Sequence, residues 1–194
     1  MSALARNTEP LFDDYDDYAK AYPDTYMEVH DGVPYMMAVP SVEHQTVSRN
    51  LTAELHFAFK GKRCQVFAAP FDYQLSLFGK PLRIVQPDLL VVCNPDHLRT
   101  RVLTHAPELI IEILTGNASY DRVKKFNWYQ DMGVKEYWIV DPHHQTVDVY
   151  SLENGRYVTV QRCETHIKSG LFPDLELSYS DVFEGLTPLP PMQD

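Results

Sequence analysis

Residues 86–142 carry the decisive run: QPDLLVV (86–92), PELIIEIL (107–114), SYDRVKKFNWYQDMG (119–133) and VKEYWIVDP (134–142). Apolar segments of strand length surround one segment with helical spacing. Two of the apolar segments each hold one acid among branched residues, Asp88 and Glu112. An isolated ionised carboxylate in a dry core is costly, so it must be paired, protonated or bound to a cation. If the two strands are neighbours, the acids lie near each other on one sheet face, and one pKa rises unless positive charge sits between them. A divalent ion supplies that charge, and hard oxygen donors suit magnesium or manganese. Spacing alone favours the alternative, in which each acid ends a strand and bonds a backbone amide or an arginine.

The strand alternation places Ile84, Gln86, Asp88, Leu90 and Val92 on one face. From Leu89 onward both faces are apolar, so the strand enters the sheet interior. Pro87 cannot donate a ladder hydrogen bond, so pairing breaks or shifts beside Asp88. On the next strand Glu112 shares its face with Ile110 and Leu114. A helix over 120–132 follows and stops at Gly133. On it Lys125 shares a side with Trp128, Tyr129 and Met132. Its stem fits along that aromatic surface with the ammonium at the sheet edge, or out in solvent; the helical face leaves both open. Lys124 points away and reads as a solvated lysine.

Outward from this run, Tyr26–Val39 reads as a hairpin around Asp31-Gly32. Ser41–Phe59 reads as a helix capped by Ser41, with Val47, Leu51, Leu55 and Phe59 on its apolar face. CQVFAAP and FDYQLSL are strands, followed by a turn at Phe78-Gly79-Lys80. The polar link 94–106 holds Arg99 and Arg101, which as solvated arginines or phosphate contacts stay open. A second hairpin turns at Asn154-Gly155, and one last strand and a short helix end the fold. The chain therefore reads as an acidic arm or short irregular helix over 1–24, one α/β domain over 25–186 with a mixed sheet covered by two long helices, and a loose proline-rich tail over 187–194.

Composition narrows the function. The 194 residues are 44% hydrophobic and 12% aromatic, enough for a core. No apolar run is long enough to cross a membrane. Cys64, Cys93 and Cys163 have no zinc spacing and read as free thiols in a reducing cytoplasm. The net charge of −10 is the wrong sign for standing affinity to nucleic acid. Bound metal would offset part of it, and part sits in the exposed stretch DDYDDYAKAYPD (13–24). No histidine has ligand spacing, and for His44, in the first turn of its helix, capping or packing is favoured over catalysis.

Taken together, MEVHDG (27–32), EHQ (43–45), QPDLLVV, PELIIEIL, YDRVKKFNWY, MGVKEYWIVDP and LFPDLELSYSDVF resemble, in order and spacing, the Uma2 family of endonucleases. That family stands within the PD-(D/E)XK restriction-endonuclease-like superfamily. The resemblance runs from about Tyr26 to Phe183 and implies a restriction-endonuclease-like mixed β-sheet flanked by helices. It implies that Asp88 and Glu112 bind Mg2+ or Mn2+, joined by the carbonyl of Ile113, and that Lys125 completes the catalytic set. Leu114 stands where the superfamily pattern has lysine, and Lys125 on the following helix replaces it. The loop TGNA (115–118) is shorter than usual. Glu28 matches a family acid without an assigned role. The implied activity is metal-dependent hydrolysis of DNA, with a homodimer for double-strand cutting. The alternatives are a degenerate nuclease fold serving as a binding or regulatory module, and a small-molecule phosphodiesterase.

Overall fold

A computed structural model describes residues 11–23, 25–75, 81–98, 102–115, 119–163 and 165–187. The turn at 78–80, Arg99, Arg101, most of the 115–118 loop and the tail from 188 lie outside the described residues.

In chain order the elements are α1 (Tyr15–Ala21), β1 (Met27–His30), β2 (Val33–Met36), α2 (Val42–Phe59), β3 (Gln65–Ala68), β4 (Asp72–Gln74), β5 (Ile84–Val85) and β6 (Leu89–Val92). They continue with β7 (Val102–Leu103), β8 (Leu109–Ile113), α3 (Ser119–Met132), β9 (Glu136–Asp141), β10 (Thr146–Glu153), β11 (Arg156–Cys163), β12 (His166–Lys168), β13 (Glu176–Ser178) and α4 (Tyr179–Val182). The α/β class with helices flanking mixed sheets is as expected from sequence.

Two sheets carry the site. One has the order β11-β10-β9-β8-β6-β3, with β8 and β9 parallel. The other has the order β2-β1-β5-β4-β7, with β4 and β7 parallel. The single strand expected over 81–92 is divided between them: β5 joins the second sheet and β6 the first. The division falls at Pro87, where the ladder donor is missing. The C-terminus forms two paired strands, β12 and β13, before α4, rather than one.

Alternation sorts the core. Val47, Leu51, Leu55 and Phe59 of α2 pack on Leu89, Val91, Leu109 and Ile111. Leu90, Val92 and Ile110 face the other way, toward Trp128 and Tyr129 of α3 and toward Tyr73 and Val85 of the second sheet. Ser41 caps α2, its Oγ accepting from the His44 amide at 3.2 Å. That cap fixes where His44 leaves the helix.

Within the stretch 13–24, expected to be exposed and read as an arm or a short irregular helix, Tyr15–Ala21 form α1, which packs on β1 and β5. Tyr15, Tyr18 and Tyr22 recur at helical spacing, so their rings meet along one face, tilted to each other with centroids about 6 Å apart. Phe12 and Tyr18 are buried with Val29, Leu82 and Ile84. Phe12 is pinned by its amide to Gly32 O at 2.8 Å. Gly32 has φ +85°, and a Cβ there would stand 3.1 Å from the Phe12 carbonyl, so the turn requires glycine.

Cys64 and Cys93 are joined by a disulfide, not free. The β3–β6 register pairs Gln65 with Val92, which puts Cys64 opposite Cys93. The support that free thiols lent to a reducing compartment is thereby removed. Among the described residues no helix is long and apolar enough to cross a membrane.

Candidate active site

The β6–β8 register pairs Leu89 with Ile111, so Asp88 stands opposite Glu112 where β6 begins. The Ile113 amide donates to Asp88 Oδ2 at 2.7 Å, which locks the two strands at the acids. Asp88 Oδ1 lies 3.0 Å from His44 Nε2. Both carboxylate oxygens of Asp88 are therefore oriented by fixed donors.

Glu112 faces α3. Its Oε1 accepts from Tyr129 OH at 2.6 Å and from Lys125 Nζ at 3.2 Å. Lys125 and Tyr129 are four residues apart on α3, so one helix face delivers both groups. Lys125 Nζ also lies 2.8 Å from Glu28 Oε1 on β1. One ammonium thus ties the two sheets together. Glu28 is saturated: Oε1 also accepts from the Gln86 amide at 3.1 Å, and Oε2 meets His30 Nε2 at 2.9 Å.

Three carboxylates share this space with one lysine and His44, and the balance shows in their protonation. Burial pushes the Glu112 carboxyl up, to about 7; the charges of Asp88 and Glu28 add to this, while Lys125 and Tyr129 oppose it. Burial also pushes Glu28 up, but Lys125, His30 and the Gln86 amide outweigh it and hold Glu28 down at about 2. Burial disfavours the Lys125 ammonium, yet Glu112 and Glu28 keep it charged well above the usual lysine range. For His44 burial lowers the pKa, and the hydrogen bond and charge of Asp88 reverse this to a net rise.

The donor set fits a hard dication. Two carboxylates stand opposite each other on adjacent strands, and burial holds Glu112 back from ionising even with Lys125 beside it. Among the described residues no three His, Cys, Asp or Glu side chains converge as a ready cage. An ion here would take the two acids and complete its shell with water, the way magnesium binds.

The structure brings Asp88, Glu112 and Lys125 together. It adds three residues that sequence reasoning did not assign to the site: Glu28, His44 and Tyr129. Their signals in the sequence were the match of Glu28 to a family acid, the place of His44 just inside the α2 cap, and the helical side that Tyr129 shares with Lys125. Lys124, read as solvated, is partly buried with its ammonium 4.9 Å from the Trp128 ring centroid. An acid in a strand is not by itself a site: Glu136 is fully buried and satisfied by Trp138 Nε1 at 2.7 Å and the Leu171 amide at 2.8 Å.

The model of the Uma2 family, described as "Putative restriction endonuclease", matches residues 12–187. The chain belongs to the Uma2 family. Among solved structures, the crystal structure of "a putative nuclease belonging to DUF820" from Anabaena variabilis is similar to this Uma2 chain, with a TM-score of 0.70 and 23% identity. The likeness covers 87% of this chain and 96% of that one, and shows a shared fold. No curated protein matches the Uma2 chain.

Proposed function

We propose that the chain is a metal-dependent endonuclease that hydrolyses DNA phosphodiester bonds at Asp88, Glu112 and Lys125. What carries the reading is the convergence of Lys125 Nζ on Glu112 Oε1 at 3.2 Å, with Asp88 opposite Glu112. A lysine from α3 thereby meets Glu112, although Leu114 stands at the superfamily's lysine position.

Asp88 and Glu112 would hold Mg2+ or Mn2+ beside the carbonyl of Ile113. When bound, the ion supplies acidification of water and charge at the phosphate oxygens. Lys125 orients the attacking water or stabilises charge developing on the phosphate. Glu28 and Tyr129 preset the Lys125–Glu112 pair, while His44 and the Ile113 amide hold Asp88. The enzyme forms no covalent intermediate. DNA association is transient, in keeping with the net charge of −10. Double-strand cutting needs two sites, hence a homodimer. With DNA as substrate the chain would act in the cytoplasm, a location to which the Cys64–Cys93 disulfide lends no support.

The net charge and Leu114 favour a second reading, a degenerate nuclease fold that binds or regulates. Supercoiled plasmid separates the two. Wild type with magnesium, then manganese, is expected to nick it, while Asp88→Ala and Lys125→Ala at equal purity do not. Three proteins that behave alike would overturn the nuclease reading.

A further inference from the structure

We infer that the cleft between α1 and β4 takes one unstacked nucleobase of the substrate, so that the enzyme acts on single-stranded or locally unpaired DNA. The inference rests on the nuclease reading of the neighbouring acid–lysine cluster.

The cleft measures about 280 Å³, and its lining includes Tyr15, Tyr22, Tyr26, Phe71, Asp72 and Gln86. That is below the roughly 300–1,000 Å³ of a drug-sized pocket, a size that suits one flat ring system. Tyr26 is 65% exposed, and Tyr22 and Phe71 are half-buried, so ring surface is available for stacking. The floor carries one carboxylate, Asp72. Asp72 takes the Tyr15 hydroxyl on Oδ2 and Gln86 Nε2 on Oδ1, each at 2.8 Å. Gln86 is 5% exposed, and its Oε1 has no hydrogen-bond partner among the described residues. A buried acceptor left so is costly, and it lies beside the cleft.

An acidic floor under aromatic walls repels phosphate and suits the uncharged part of a nucleotide, above all a base with an amino group. Gln86 links the cleft to the site. The Gln86 amide donates to Glu28 Oε1, the atom that also meets Lys125. Asp88 is two residues further on, at most about 7 Å along the chain. A phosphate at Lys125 would set its own or the adjacent base on the side of the cluster where Gln86 and the tyrosines lie. Stacking is indifferent to charge sign, which lets a chain of net charge −10 hold DNA without a basic track.

Anisotropy of fluorescein-labelled oligo(dA), oligo(dT) and a duplex with full-length protein in EDTA tests this without cleavage. Oligo(dA) is expected to bind at least about tenfold tighter than duplex, tighter than oligo(dT), and to stay bound in high salt. Tyr26→Ala and Tyr22→Ala each weaken it about tenfold, and Tyr26→Phe does not. Because Tyr26 is exposed, its variants report even if Tyr22→Ala unfolds. Equal binding of duplex and single strand, or unchanged binding by Tyr26→Ala, overturns the inference. Plasmid nicking that persists alongside either result leaves the nuclease reading standing. Tyrosine-dependent oligonucleotide binding without cleavage of the plasmid or of the same oligonucleotide in magnesium or manganese defeats the nuclease reading instead.

Discussion

Replacing Glu112 by glutamine should make the metal-free protein more stable, and the gain should depend on pH. Burial pushes the folded-state pKa of Glu112 up to about 7, against 4.5 for the free side chain. A carboxyl whose pKa is raised on folding binds its proton more tightly in the native state. Its contribution is therefore present below about pH 4.5 and is lost as pH rises through about 7. At about 1.4 kcal/mol per pKa unit, the span corresponds to about 3 kcal/mol lost by pH 8. Glutamine keeps the shape and the Tyr129 contact and cannot ionise. Lys125 retains Glu28 at 2.8 Å. The advantage of Glu112→Gln at pH 8 should exceed that at pH 5 by about 2–3 kcal/mol, equivalent to about 5–10 °C in Tm for a chain of this size. Thermal unfolding followed by circular dichroism in EDTA at both pH values reads it directly. A variant destabilised equally at pH 5 and pH 8 would refute the claim that Glu112 carries unbalanced negative charge.

Three further outcomes follow from the same geometry. Magnesium or manganese affinity, measured by calorimetry, should tighten about tenfold per pH unit below pH 7 and level off above it, because the ion must displace the Glu112 proton. Lys125→Met should abolish nicking and lower stability by about 3 kcal/mol at pH 8, since it strips the cation from two buried acids; in denaturant titrations the loss should shrink at pH 5, where Glu112 is protonated. His44→Ala frees Asp88 Oδ1 and should weaken metal binding about tenfold while the α2 cap at Ser41 survives.

Asp88 and Glu112 were legible in the sequence because an ionisable residue inside a branched apolar strand conflicts with burial, and the conflict is local. Their meeting needed only that 86–92 and 107–114 pair, and those strands do. The helical face of Lys125 could not choose between solvent and sheet, because the choice is made by Glu28, far away in sequence on β1. His44 was hidden for the same reason: its cap position is local, but its contact with Asp88 depends on how α2 lies across the end of β6. Pro87 announced a broken ladder, yet nothing local said that β5 would leave for a second sheet. The Cys64–Cys93 pairing likewise follows from the β3–β6 register rather than from cysteine spacing. The tyrosines of α1 were read as part of an acidic arm because the aspartates between them dominate composition, whereas their spacing at every third or fourth residue is what buries Phe12 and Tyr18.

The most direct test of the central claim is nicking of supercoiled plasmid by Glu112→Gln beside wild type, at pH 8 with magnesium. The account predicts a variant that is more stable than wild type in EDTA yet does not cut, so that lost activity cannot be assigned to unfolding. A folded Glu112→Gln protein that nicks as fast as wild type would contradict it.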